Sequence, residues 1–260
     1  MRNPVIGAAI AAVLTAAPAF AGHIFEVERT SPDGETLTNS MRLEDGKFVM
    51  EEPGDPQLGT ADSQVIFRND PARLISVDHG ARTYNVMTPE DLEAGMASMR
   101  AMMDEALQNA PPEQREAMRQ AMGGAMPGAE APDAPAIEPT GRTRRVSGAQ
   151  ARQYEVRKDG RRSHLVWAVA PGAITGGREL ADLYGEMAVF ADGMSMMANV
   201  GWMYDLEGNF DGRLPLVVEE FGEDGELDAT TRITAAGETD IPASAFEPPE
   251  DYSEVEAFGP

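Results

Sequence analysis

The chain has 260 residues, a formal net charge of −23 and no cysteine. So acidic a balance argues against general nucleic-acid binding, which needs a basic footprint, and the absence of cysteine excludes disulfide staples and a lipid-bearing cysteine. Stability must then come from a packed core, for which the chain is long enough as one large or two small domains.

Residues 1–21 read as a secretory signal peptide. Arg2 supplies the positive charge, Val5 to Ala17 the apolar run, and Ala19-Phe20-Ala21 an A-x-A cleavage site, so the mature start is placed at Gly22. The run is too short to cross a bilayer as a helix. No later stretch is long and apolar enough either, so the mature protein is expected to be soluble in the periplasm, or secreted, and not membrane-spanning.

From His23 to Glu52 the segments HIFEVERT, TLTNSMRLED and KFVMEE read as strands, with turns at Asp33-Gly34 and Asp45-Gly46. VIFRND, RLISVD and RTYNVM follow, linked by Asn69-Asp70-Pro71 and a tight turn at His79-Gly80. Short turns between successive strands predict an antiparallel meander. Thr88 then caps a helix with Pro89 at its first position and Asp91 as capping partner. Leu92, Met96, Met99, Met103 and Leu107 recur along one helical face. A short second helix is expected over 112–122, then a flexible Ala/Pro/Gly-rich insertion at about 124–140.

The sheet is expected to resume at Arg142. QYEVRK and RRSHLVWAVA flank Asp159-Gly160, and counting outward from that turn places Tyr154 opposite Leu165 and Glu155 opposite His164. A helix over 178–197 carries Leu180, Leu183, Met187, Phe190, Met194 and Met197 on one side. RLPLVVEEF and ELDATTRITA are the last long strands, turning at Asp224-Gly225, and Phe246 and Tyr252 are expected to tack the tail onto the body. About ten strands and two main helices make a β-rich α+β domain over 22–260.

RLISVDHGARTYNVMT, GRTRRVSGAQARQYEVRKDGRRSHLVWAV and IPASAFEPPEDY resemble the DUF4412 family of exported bacterial proteins of unknown function. More distantly the chain is similar to LolA/LolB-like lipoprotein carriers and RseB-like envelope sensors. The resemblance spans most of residues 23–256 and implies a curved antiparallel half-barrel around an apolar cavity. The two Met-rich amphipathic helices would lie on its concave side as a lid. It carries over no individual binding residue, and the missing cysteine departs from LolB-like anchoring.

No catalytic residue stands out. His23, His79 and His164 show no metal or triad spacing; Glu155 opposite His164 reads first as a surface pair; no serine elbow or phosphate loop is present. The sixteen methionines are the distinctive feature. They admit three readings: core packing, an adaptable lining for an apolar ligand, or a copper(I) site of soft thioethers. On the ligand reading the cavity is lined by Leu92, Met96, Met99, Met103, Leu183, Met187, Phe190 and Met194. Burying ten methylenes at about 0.8 kcal/mol each gives a gross gain of about 8 kcal/mol, reduced by association losses to micromolar binding.

Charge is segregated. Gly141 to Arg178 holds nine Lys or Arg against two acids, and Met203 onward holds sixteen acids against two arginines. At the Asp159-Gly160 tip, Lys158 faces Arg161 and Arg157 faces Arg162, like-charge pairs that call for an anion. Its source is either the acidic turn, where Glu223 is expected opposite Glu226, or an external phosphate-bearing head group or acidic partner. The sequence therefore points to a periplasmic binding or carrier protein for a lipid or lipidated protein, without cofactor or catalysis. The alternative is an envelope protein-interaction or stress-sensing module without a ligand; copper binding ranks third.

Overall fold

The structure, a computed structural model, describes residues 22–52, 54, 61–111, 134–198 and 201–257. The expected signal peptide, the helix over 112–122 and most of the 124–140 insertion lie outside the described residues. Period-two alternation organises the first six strands, β1 (Gly22–Thr30), β2 (Thr36–Glu44), β3 (Lys47–Glu52), β4 (Ser63–Asn69), β5 (Ala72–Asp78) and β6 (Thr83–Met87). Helix α1 (Pro89–Asn109) follows. The second run comprises β7 (Ala136–Val146), β8 (Ala149–Lys158), β9 (Arg161–Val169), α2 (Gly177–Ala198), the short α3 (Leu206–Phe210), β10 (Leu214–Phe221), β11 (Leu227–Thr239) and β12 (Ser253–Glu254).

Among the described residues the twelve strands belong to one sheet, in the order β12-β6-β5-β4-β3-β2-β1-β11-β10-β9-β8-β7. Each half is an antiparallel meander, and the halves are joined where β1 pairs with β11 from Gly22–Thr239 to Thr30–Thr230. The expected meander has one exception, since β12 runs parallel to β6 through Ser253–Thr83 and Glu254–Tyr84. The sheet is large, open and curved. Although β9 and β10 lie between the β7–β8 hairpin and β11, Ser147 Oγ in that hairpin's turn donates to the Ile233 carbonyl at 3.3 Å, a reach that requires the sheet to curl.

Two-residue turns set the register where φ is positive at both positions: Asp45-Gly46, Ser147-Gly148 and Asp159-Gly160. Gly46 is doubly constrained, because a Cβ there would also meet Asn69 Nδ2 at 2.3 Å and Glu186 Oε2 at 2.8 Å. Other expectations are corrected. Residues 136–140, placed in the insertion, form the first half of β7. The His79-Gly80 turn is a four-residue loop between Asp78 and Thr83, held by Asp78 Oδ1 accepting from Ala81 N at 2.8 Å. The β10–β11 turn is wider than two residues: Gly222 N donates to Glu226 O at 2.9 Å, so Glu223 does not face Glu226.

Inside the curve, cross-strand partners Phe25–Met41, Leu43–Phe48, Phe48–Phe67 and Met50–Val65 build a continuous apolar surface. On the other face of β3–β6, Val49, Ile66, Ile75 and Val77 are covered by Ile241 and Phe246 of the tail. Tyr252 completes the attachment, its hydroxyl 3.0 Å from His79 Nδ1. α2 lies against the inner surface. Its first turn is held where Glu179 pairs with His23 at 3.0 Å and accepts from Asp45 N at 3.0 Å. Two turns further on than Leu183, Phe190 meets Phe67 edge-on at 5.7 Å. The capping box Thr88–Asp91 starts α1 as expected, and α1 packs against α2, through which it chiefly meets the rest of the fold.

Candidate functional site: an apolar cavity under α2

The surfaces of α2 and the sheet do not close completely. Between them lies a cavity of about 210 Å³ whose lining includes Met41 and Met50 from β2 and β3, Leu183 and Met187 from α2, and Trp202 and Met203 from the turn after it. Val27, Leu216, Val218 and Ile233 form its sheet floor. Four of these side chains are thioethers, which change shape at low cost and fit irregular apolar guests. A wider groove of about 950 Å³ also borders α2, and its lining includes Arg178, Asp182, Glu186, Asp205 and Glu207. Pro171, Ala181, Ala188 and Leu206 lie among these charged side chains, so the groove offers no continuous apolar wall.

A run of rings fixes the cavity's far wall. Tyr154 meets Phe210 edge-on at 5.3 Å, Phe210 meets Trp202 at 6.1 Å, and Trp202 meets His164 at 5.0 Å. Tyr154 is fully buried, and its hydroxyl donates to Phe210 O at 3.0 Å beside Asp211 Oδ2 at 2.9 Å. The loop carrying Trp202 and Met203 is thereby tied to β8. Tyr184 and Tyr204, also in the lining, meet at 5.4 Å. Burial raises both phenols, with Tyr204 adding to the effect at Tyr184, so both stay neutral at physiological pH. Burial lowers the His164 imidazole below its usual value, and Glu220, its cross-strand partner, offsets this in part.

The cavity-lining expectation divides. Leu183 and Met187 line the cavity. Leu92 is buried on α1, and Phe190 is buried against Phe67. The backbones of Met96, Met99, Met103 and Met194 lie on α1 and α2, but their side chains are outside the described residues. Met41, Met50, Trp202 and Met203 were missed; the alternation around Met41 and Met50 carried the signal, since both face inward with Phe25 and Val65.

At the β8–β9 tip, Arg157–Arg162 and Lys158–Arg161 face each other as expected. Beyond them a bulge between Val156 and Arg157 shifts the register: Tyr154 faces Val166, Glu155 faces Leu165, and Val156 takes the place opposite His164. Glu155 instead sits between two cations, paired with Arg157 and with Arg162 Nη2 at 3.0 Å. Arg161 reaches Glu223 of the acidic turn at 3.9 Å, and Arg162 lies over the Phe221 ring at 5.4 Å. Among the described residues no group of three or more His, Asp or Glu side chains is placed to hold a metal ion, and no helix is long and apolar enough to cross a membrane.

No family model matches the chain, and no curated protein matches it. Solved structures overlap it loosely. An uncharacterized conserved protein from Thermus thermophilus has 9% identity and a TM-score of 0.45, with 91% of each chain covered. MucB in the Pseudomonas aeruginosa MucA/MucB complex has 10% identity and a TM-score of 0.39, with 90% of this chain and 58% of that one covered. A LolA superfamily protein from Nitrosomonas europaea has 8% identity and a TM-score of 0.25, covering 86% and 88%. Likeness this loose fixes neither ligand nor partner.

Proposed function

We propose that this chain is an exported, soluble binding or carrier protein of the bacterial envelope that holds an apolar group, the acyl chain of a lipid or of a lipidated protein, between α2 and the inner face of its sheet. The observation that carries this reading is the thioether-lined cavity under α2. Its volume is below the roughly 300–1,000 Å³ usual for small-molecule sites. A ligand therefore enters by displacing methionine side chains, which is what flexible thioethers permit. Seven buried methylenes at about 0.8 kcal/mol each contribute about 6 kcal/mol gross, and ordering costs on association bring the net to weak, reversible binding. That suits a protein that must release what it carries. The ionisable lining consists of two neutral phenols, which favours binding over catalysis.

An environment-sensitive apolar dye tests this. It is expected to bind the wild-type chain at micromolar concentration and to lose tenfold or more in Met187→Asp, which puts a charge into the cavity while far-UV circular dichroism stays unchanged. Equal binding by the folded variant, or none by wild type, contradicts the reading.

A second reading, an envelope-interaction or stress-sensing module, is favoured by one observation. β7 is an outer strand of the sheet, and its segment Arg142–Arg145 is exposed. Such an edge can accept an added strand from an acidic partner.

A further inference from the structure

The apolar cavity has a neighbour. A second chamber of about 420 Å³ shares Trp202, Met203, Val218 and Thr231 with it, so the same four side chains wall both. Together the two fall inside the usual range for a small-molecule site. Their chemistry differs sharply. The second chamber carries Arg29, Lys158, Ser163, His164 and Glu220. Arg29 is already paired with Glu220 at 3.0 Å. Lys158 has no salt bridge among the described residues, whereas its three neighbours at the β8–β9 tip all have acidic partners: Glu155 for Arg157 and Arg162, and Glu223 for Arg161. Lys158 also stands directly opposite Arg161, a like-charge pair that an added anion would relieve.

We propose that this chamber is a headgroup site and that the ligand is a single-chain anionic amphiphile, with its chain under α2 and its carboxylate or phosphate at Lys158 beside Arg29. The inference rests on the cavity reading above and adds the class of ligand. An ammonium group is suited to this task, being a compact point charge on a flexible stem that can follow a head group. Ser163 also lines the chamber, but its hydroxyl donates to the Val156 carbonyl at 3.2 Å, so the charge is met by Lys158 and Arg29. Trp202 stands at the junction, where an indole with one apolar and one polar side suits a boundary between chain and head.

The test compares a fluorescent polyene fatty acid with its uncharged methyl ester, titrated against wild-type protein, Lys158→Gln and Lys158→Glu. The acid is expected to bind wild type at least tenfold more tightly than the ester. Lys158→Gln should remove most of that difference and Lys158→Glu should reverse it, while ester affinity stays the same in all three proteins. Equal affinity of acid and ester for wild type overturns the headgroup site and leaves the cavity reading standing. Binding of neither removes both. A mutation that weakens acid and ester alike also overturns it, since Lys158 would then act on the fold. Inorganic phosphate at concentrations matching the acid should fail to displace it; displacement would mean a plain anion site and no amphiphile.

Discussion

His164 is a half-buried base with an acid as its cross-strand partner, and its environment is expected to make stability depend on pH. Burial favours the neutral imidazole, so its folded value lies below the usual one, with Glu220 opposing the shift. The other charged groups of the same chamber, Arg29 and Lys158, are cations. In the unfolded chain the imidazole takes up its proton near pH 6.5. Between that value and the lower folded one, the unfolded state binds more protons, so stability rises with pH across the window and is lost as pH falls through it. Urea midpoints measured from pH 7.5 to 5.5 are expected to fall for wild type and to fall less in His164→Gln. An identical slope in the variant would show that other groups carry the dependence. Tyr154 illustrates a different commitment: its hydroxyl spans to Phe210 and its ring braces the wall that Trp202 completes.

At the scale of elements, α2 decides whether there is a cavity at all. It is anchored polar at one end, by Glu179 on His23 and the Asp45 amide, and apolar further along, by Phe190 on Phe67. Removing the apolar anchor with Phe190→Ala should cost about 3–5 kcal/mol, since the ring is 1% exposed and leaves a void. Glu179→Gln should barely change the thermal midpoint yet speed amide exchange in the first turns of α2, because a partly exposed pair contributes little globally. Equal exchange rates in wild type and Glu179→Gln would mean that the polar anchor does not hold the helix. Both helices, the Thr88–Asp91 cap of α1 and most strands could be read from the sequence, because helical spacing, alternation, a Thr-Pro cap and Asp-Gly turns are local signals. What escaped was non-local. The bulge at Val156–Arg157 displaced Tyr154 and Glu155 by one position, and nothing in the flanking residues marks it. β12 is two exposed residues whose pairing with Thr83 and Tyr84 depends on where the tail returns. Of the cavity lining, Leu183 and Met187 follow from helical spacing; alternation turns Met41 and Met50 inward, but their place in the cavity depends on their strands curling beneath α2.

The whole molecule resolves the charge segregation seen in the chain. Of the basic strands β7–β9, β9 lies directly beside β10; Arg144 of β7 reaches Glu219 of β10 at 3.5 Å, and Arg161 of β9 reaches Glu223 of the β10–β11 turn at 3.9 Å. Such exposed pairs are worth about 0–1 kcal/mol each, so the arrangement neutralises a surface more than it stabilises a fold. It also leaves Lys158 as the tip cation that faces the cavity's neighbouring chamber. β1 begins at Gly22, and a cut after Ala21 would leave its pairing with Thr239 and the rest of the β11 ladder whole. Native mass spectrometry of the protein isolated from the periplasm of producing cells joins these threads. The expected spectrum is a chain starting at Gly22 with the added mass of one acyl-chain amphiphile, and that addition disappears in Met187→Asp. A bare chain from wild-type cells, or one carrying only copper or only a protein without an acyl chain, would contradict a lipid carrier.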